Sequence, residues 1–193
     1  AIQAAAGSFA THDTLLQVTN LKVHFPIRKG IFKRVAGHVK AVDGVSFSIS
    51  AGKTLALVGE SGCGKTTIGK SLLQLIQPTA GSVRFKDQEL VALRRSQLLP
   101  IRAQFQIIFQ DPYASLNPRL PVVDLITEPA LIHGTVSGVD KRDLAADLLR
   151  KVGLEPEAMT RFAHQFSGGQ RQRLCIARAL SVRPALIVAD EAV

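Results

Sequence analysis

Eight consecutive residues carry the most specific chemistry in the chain: Gly59-Glu60-Ser61-Gly62-Cys63-Gly64-Lys65-Thr66. Their spacing fits G-x-x-x-x-G-K-[ST]. Glycines so placed let the backbone curl until several N–H groups face one anion. A short apolar run, residues 54–58, precedes the loop and reads as a strand buried on both faces. Residues 65–77 follow it and read as a helix stopped by Pro78, with Ile68, Leu72, Leu75 and Ile76 on the apolar side. The helix N-terminus adds partial positive charge where the loop ends. Lys65 adds a full charge suited to the β- and γ-phosphates of a nucleotide, and the Thr66 hydroxyl can ligate Mg2+. Thr67 belongs with the same cradle. Cys63 stands at a variable position of the pattern and reads as a small residue whose backbone does the binding.

Two more stretches carry chemistry. Leu186-Ile187-Val188-Ala189-Asp190-Glu191 is an apolar strand ending in two carboxylates. In parallel α/β sheets, ligands gather at the carboxyl ends of strands. Asp190 would emerge there and hold Mg2+, and Glu191 would orient or deprotonate an attacking water. Phe166-Ser167-Gly168-Gly169-Gln170 precedes a helix carrying Arg171, Arg173 and Arg178. A Ser hydroxyl and glycine N–H groups at a helix start form another anion site. One nucleotide needs a single phosphate loop, so the second site calls for its own explanation.

Residues 1–13 read as linker or tail and 14–193 as one folded domain. Leu16, Val18, Leu21, Val23 and Phe25 alternate as a half-buried strand. Residues 26–40 are basic and glycine-punctuated, a loop or hairpin excursion in which Arg28, Lys29, Lys33 and Arg34 face solvent or a membrane. Asp43-Gly44 is a turn signal, Val45, Phe47 and Ile49 form the next strand, and Ala51-Gly52 turns again. Val83 and Phe85, then Phe105, Ile107 and Phe109, suggest further strands. Residues 111–121 are proline-rich and read as a loop. Asp140 opens a helix whose face is Leu144, Leu148, Leu149 and Val152, stopped by Gly153. A last helix covers about 170–180 and a last buried strand 185–189.

Bulk composition sets the limits. The chain has 193 residues, 46% hydrophobic and 20% charged, which suits a packed core and excludes a disordered chain. A formal net charge of +9 favours anionic partners without choosing among nucleotide, nucleic acid and membrane. Two cysteines, Cys63 and Cys175, lie far apart, with neither metal-site nor disulfide spacing, as in a reducing compartment. No apolar run reaches the roughly 20 residues that span a bilayer, and residues 1–9 lack the basic start of a signal peptide.

On these motifs the chain resembles the ABC ATPase family, from about Leu15 to Val193. The resemblance implies an α/β fold, a P-loop NTPase (RecA-like) core with an antiparallel β subdomain and an inserted α-helical subdomain at about 111–165. Residues 166–170 match the family's signature, usually LSGGQ, with Phe166 for the usual Leu. In the family, Ser167, Gly168, Gly169 and Gln170 would bind the γ-phosphate of ATP held by a partner domain. Gln110, otherwise a polar loop residue, looks like the Q-loop glutamine that touches Mg2+ or water and senses membrane subunits. Phe25 falls where the family stacks an aromatic on adenine, although the core would suit it equally. Residues 109–118 together with 166–173 are similar to importers of dipeptides, oligopeptides and glutathione. Some of those importers are also similar at Ala192, where many ABC ATPases carry Pro.

The resemblance therefore implies ATP and Mg2+ as ligands, Lys65, Gln110 and Glu191 as catalytic groups, and Thr66, Gln110 and Asp190 as metal ligands. It implies a second ABC ATPase domain and integral-membrane permease subunits as partners, and a solute-binding protein indirectly. No nucleic acid is expected. The place it implies is the cytoplasmic face of the inner membrane, as a peripheral subunit of bacterial type. The family continues with a D-loop and a switch histidine. Both would follow Val193, so this stretch alone is expected to turn ATP over slowly. His164 precedes the signature and reads as an exposed polar residue rather than that histidine. The competing reading is a soluble ABC-type ATPase acting on ribosomes or DNA. The basic surplus is compatible with it. The absence of a long charged helical insertion between phosphate loop and signature speaks against a DNA-repair version.

Overall fold

The computed structural model describes residues 14–29, 34–137 and 140–190. The expected linker over 1–13, residues 30–33 with Lys33, and the expected water-activating Glu191 with Ala192 lie outside the described residues. Two compact units are present, Ala1–Leu98 and Leu99–Val193.

The first unit is built on an antiparallel sheet. β1 (Thr14–Lys29) pairs along its length with β2 (Arg34–Ser50), and on its other edge with β3 (Ala80–Phe85), followed by the short β4 (Gln88–Glu89). The excursion expected over 26–40 is thus the far end of a long hairpin. The apolar alternation puts Leu16, Val18, Leu21 and Val23 in the core. The step from Val18 to Leu21 breaks strict alternation. Asn20 absorbs it with φ 49 and a register shift, which returns Leu21 to the buried face. The turn expected at Asp43-Gly44 is instead a bulge inside β2. Asp43 pairs with Lys22, and Gly44 takes φ 89 at a register shift. A glycine permits that irregularity without ending the strand. Ala51-Gly52 does turn, with the Lys53 amide donating to the Ser50 carbonyl at 3.2 Å.

Glu89 fastens the sheet's end. Its carboxylate accepts from the Ser82 hydroxyl and from the Val83 and Val91 amides at 3.1 and 3.0 Å. Burial pushes its pKa up. The Ser82 hydroxyl and the Val91, Val83 and Leu90 amides outweigh burial and hold the carboxyl below the ordinary glutamate value.

Two expectations around the glycine loop need correction. The helix α1 runs over Lys65–Leu72, not to residue 77. Gln74 adopts φ 53, and the amides of Leu75 and Ile76 both turn back to the Lys70 carbonyl, which closes the helix early. Leu75 is accordingly exposed. Residues 54–58 form no strand, and Val58 is 74% exposed. An apolar run favours burial, but a strand also needs a neighbour for its N–H and C=O groups. The sheet β2-β1-β3-β4 does not include this run.

α2 (Arg95–Arg102) leads to the second unit. There β5 (Phe105–Ile108) pairs in parallel with β6 (Leu186–Ala189). Around this pair are α3 (Pro112–Ser115), α4 (Val122–Ile132), α5 (Lys141–Lys151), 3-10 turns at Pro156–Thr160 and Ala163–Gln165, and α6 (Gly168–Leu180). Their apolar faces meet in one core that includes Ile126, Leu148, Leu149, Phe166 and Leu174. Lys141 pairs with Asp124, joining α5 to α4. Asp140 does occupy the N-cap of α5, but its carboxylate accepts from the Ser137 hydroxyl at 2.6 Å instead of capping the helix amides. The helix ends before Gly153, as expected. The stretch 111–121 is not all loop. The Asp111 carboxylate accepts from the Tyr113 amide at 2.8 Å and, with Pro112, starts α3. β6, expected to be buried, leaves Ile187 37% exposed, since among the described residues it pairs with β5 alone.

Candidate phosphate-binding site

The glycine loop is held by sterics. Gly62 has φ 78 and Gly64 φ 103, and Gly64 is the N-cap of α1, its carbonyl accepting from the Ile68 amide at 2.9 Å. A Cβ on Gly64 would stand 2.4 Å from the Ala41 carbonyl oxygen. Only glycine therefore fits at the point where the loop becomes helix. Gly59, Glu60, Ser61, Gly62 and Thr66 are exposed, while Cys63, Gly64, Lys65 and Thr67 are half-buried. All the residues expected in this cradle are thus contiguous and largely open to a ligand. The Lys65 ammonium curls over its own loop. It donates to the Gly59 and Glu60 carbonyls, each at 2.8 Å, and lies 3.9 Å from the Cys63 sulfur. An anion entering the loop would compete with those carbonyls for the ammonium.

In the second unit, the parallel register ends at Ile108 opposite Ala189, and the Asp190 amide donates to the Ile108 carbonyl at 2.9 Å. Gln110 and Asp190 therefore leave the same end of neighbouring parallel strands. Their side chains offer an amide and a carboxylate, the oxygen donors that hard divalent cations take.

The second glycine turn opens α6. The Gln170 side chain accepts from the Ser167 amide at 3.0 Å, and the Ser167 hydroxyl accepts from the Gln170 amide at 3.4 Å, a capping box. This cap starts the helix two residues earlier than expected. Ser167, Gly168, Gly169 and Gln170 are all exposed. A Cβ added at Gly168 or Gly169 would meet nothing within 4 Å among the described residues. Phe166, beneath them, is core. Phe25 is 41% exposed on β1, opposite Val39, so the core position that would also have suited it is not the one it takes. His164 is exposed, its ring stacked on Phe162 with centroids 5.8 Å apart.

What residue types alone did not reveal is the use of the α6 arginines. Arg171 donates to the Ala163 and His164 carbonyls at 2.8 and 3.1 Å, and its guanidinium lies 4.1 Å from the centre of the Tyr113 ring. Arg173 donates to the Gly153 carbonyl at 3.2 Å, and Arg178 to the Ser115 carbonyl at 2.5 Å. A helix rich in arginine after a glycine turn reads as an anion site. Here the guanidinium groups bind the chain itself.

Residues 42–193 match the family described as ABC transporter. The chain is similar to a probable peptide ABC transporter ATP-binding protein, y4tS, of Sinorhizobium fredii (strain NBRC 101917 / NGR234), with 50% identity over 94% of the chain and 51% of the relative. It is similar to the oligopeptide transport ATP-binding protein AppF of Bacillus subtilis (strain 168), at 48% identity over 95% of the chain and 56% of the relative. It is also similar to the glutathione import ATP-binding protein GsiA of Escherichia coli (strain K12), at 49% identity over 94% of the chain and 29% of the relative. The chain thus spans about half of the first two relatives and less of the third. Among solved structures it resembles the dimeric ATP-binding cassette MJ0796 in a post-hydrolysis state bound to ADP and Pi. The TM-score is 0.78 and the identity 28%, covering 90% of this chain and 72% of that one. That likeness bears out the expected α/β P-loop NTPase fold with an antiparallel sheet and a helical part. Since the family match runs from β2 to the end of the sequence and takes in both glycine turns, this chain belongs to the ABC transporter family.

Proposed function

We propose that the chain binds MgATP and hydrolyses it as the energy-converting domain of a membrane importer for peptides or peptide-like solutes such as dipeptides, oligopeptides or glutathione. The observation that carries this reading is the open second turn: a Cβ at Gly168 or Gly169 would meet nothing within 4 Å among the described residues. Such a turn is built to receive a group from outside the chain, and an anion suits its exposed N–H groups. The γ-phosphate of ATP held by a second cassette is that group.

The loop over 59–67 would wrap the phosphates, with Lys65 exchanging the Gly59 and Glu60 carbonyls for β- and γ-oxygens. Phe25 would stack on adenine, for which its exposed ring is available. Oxygen donors of the kind Mg2+ takes are present in each unit, the Thr66 hydroxyl in the first and the Gln110 amide and Asp190 carboxylate in the second. Mg2+ bound with ATP would neutralise charge on the phosphate oxygens. Glu191 would take a proton from water as its oxygen attacks the γ-phosphorus and ADP leaves. The helical segment at about 111–165 would dock on permease subunits, and its exposed Tyr113, Ile132 and Phe162 offer apolar surface for that. No helix among the described residues is long and apolar enough to cross a membrane, so the permease would supply the spanning segments. In this reading the protein would sit peripherally at the cytoplasmic face of the inner membrane.

The test is nucleotide binding by the full-length protein and its Lys65→Ala variant, joined to identification of what co-purifies. Affinity for MgATP is expected to fall about tenfold to a hundredfold in the variant, the loss of a charge-assisted contact. Permease subunits are expected among the co-purifying proteins. Equal affinity in the two proteins would remove the cradle assigned to Lys65, and recovery with ribosomes or DNA alone would remove the transport role.

A further inference from the structure

We propose that Tyr113, Arg171 and Arg178 are positioning residues that clamp the segment after Gln110 onto the helix of the second glycine turn, so that the two move as one body. The inference rests on the reading of that turn as a γ-phosphate site.

Arg171 lies in the first turn of α6, directly after the Ser167–Gln170 capping box. Its Nε and Nη2 grip the Ala163 and His164 carbonyls, which belong to the 3-10 turn that leads into Ser167. The same guanidinium lies against the Tyr113 ring. Tyr113 sits three residues after Gln110, in α3, with its amide tied to the Asp111 cap. Further along α6, Arg178 donates to the carbonyl of Ser115, the last residue of α3. A helix end leaves such carbonyls without intrahelical partners, and this one is satisfied from α6. Two contacts thus join α3 to α6 at either end of a four-residue helix. One arginine links Tyr113 and the signature turn at once.

The clamp differs from ordinary packing in one respect. Tyr113 as a residue is 63% exposed, so its ring is held by the Arg171 cation more than by burial. A displacement of Gln110 by a ligand would pull on the ring and, through Arg171, on the amides at Ser167. Binding at the Ser167 turn would act in the reverse direction, since coupling between two sites is reciprocal.

Tyr113→Leu, Tyr113→Phe, Arg171→Met and the Leu/Met double variant of the full-length protein decide the matter by two readouts. One is hydrogen exchange of the amides of residues 163–170. The other is the split of ATP hydrolysis into kcat and KM. In Tyr113→Leu, exchange across that turn should rise about two- to fivefold, the loss of an exposed cation–π contact. kcat should fall by a similar factor, with KM within about twofold of the parent. Tyr113→Phe keeps the ring face and should restore both. The double variant should be no worse than Arg171→Met, because coupled residues are not additive. Exchange and kcat unchanged in Tyr113→Leu, a Phe variant as impaired as the Leu one, or additive effects in the double variant would each overturn the clamp. If the parent protein hydrolyses no ATP, the proposed function fails, while the exchange measurement still decides whether the clamp exists.

Discussion

The chain has two glycine turns at helix starts, and they use glycine for opposite reasons. At Gly64, in the first unit, a side chain would strike the Ala41 carbonyl and would have to adopt φ 103. At Gly168 and Gly169, in the second unit, a side chain would strike nothing among the described residues. The first loop needs its glycine in order to have its shape at all. The second turn already has its shape from the Ser167–Gln170 capping box, and its glycines leave room for something else. The lysine and arginine groups divide in the same way. Lys65 lies across its own loop, while Arg171, Arg173 and Arg178 are spent on binding neighbouring segments. One turn is closed by its own sterics, and the other leaves its glycines open among the described residues.

The largest expected effect breaks the first turn. Gly64→Ala should cost about 3 kcal/mol of stability from backbone strain and overpacking. It should also weaken MgATP binding more than tenfold, since the amides around the phosphates would lose their alignment. Thermal unfolding and nucleotide titration measure both, and a normal variant would show that the loop relaxes freely. Next is Gly169→Ala, where the sign of the stability change should reverse. Alanine inside a helix is favoured over glycine by up to about 1 kcal/mol. The isolated protein should therefore be as stable or more stable and bind nucleotide normally. Hydrolysis by the assembled protein should nonetheless fall about tenfold or more, because the methyl group would take the space proposed for a phosphate oxygen. Full activity in this variant would erase the contrast between the turns.

The smallest effect concerns the two thiols. Cys63 is half-buried in the first loop, and Cys175 is buried behind the second turn. Burial pushes the Cys175 thiol up, only partly opposed by Arg178, so less of it is thiolate at neutral pH. Alkylation followed by mass spectrometry should label Cys63 about tenfold faster than Cys175 at pH 7. MgATP should slow the Cys63 reaction and leave Cys175 alone. Labelling of Cys175 should accelerate as the pH rises toward its elevated pKa and level off above it. Equal rates at pH 7 would mean that the second turn opens far more readily than its packing suggests.

Both turns were legible in the sequence because each is a run of neighbouring residues whose conformation follows from local sterics and capping. The existence of α6 after the second turn, though not its start at Gly168, the stop at Gly153 and the alternating core of β1 were legible for the same reason. Less was legible where a residue's role depends on distant partners. Asp43-Gly44 has the composition of a turn, yet pairing with β1 makes it a bulge. Residues 54–58 have the composition of a buried strand, and composition alone supplies no hydrogen-bonding neighbour. The early end of α1 turned on Gln74, whose positive φ no propensity suggests.

By itself the sequence determined what could bind an anion and in what order along the chain, since an oxyanion-gripping turn is closed by residues within a few positions of one another. Only the tertiary structure decided where the cations go. Arg178 reaches a carbonyl 63 residues away, and Arg171 finds the ring of Tyr113 across two helices. Such partnerships are made by packing, which brings distant segments within a few ångströms of each other. A list of residue types does not contain those distances.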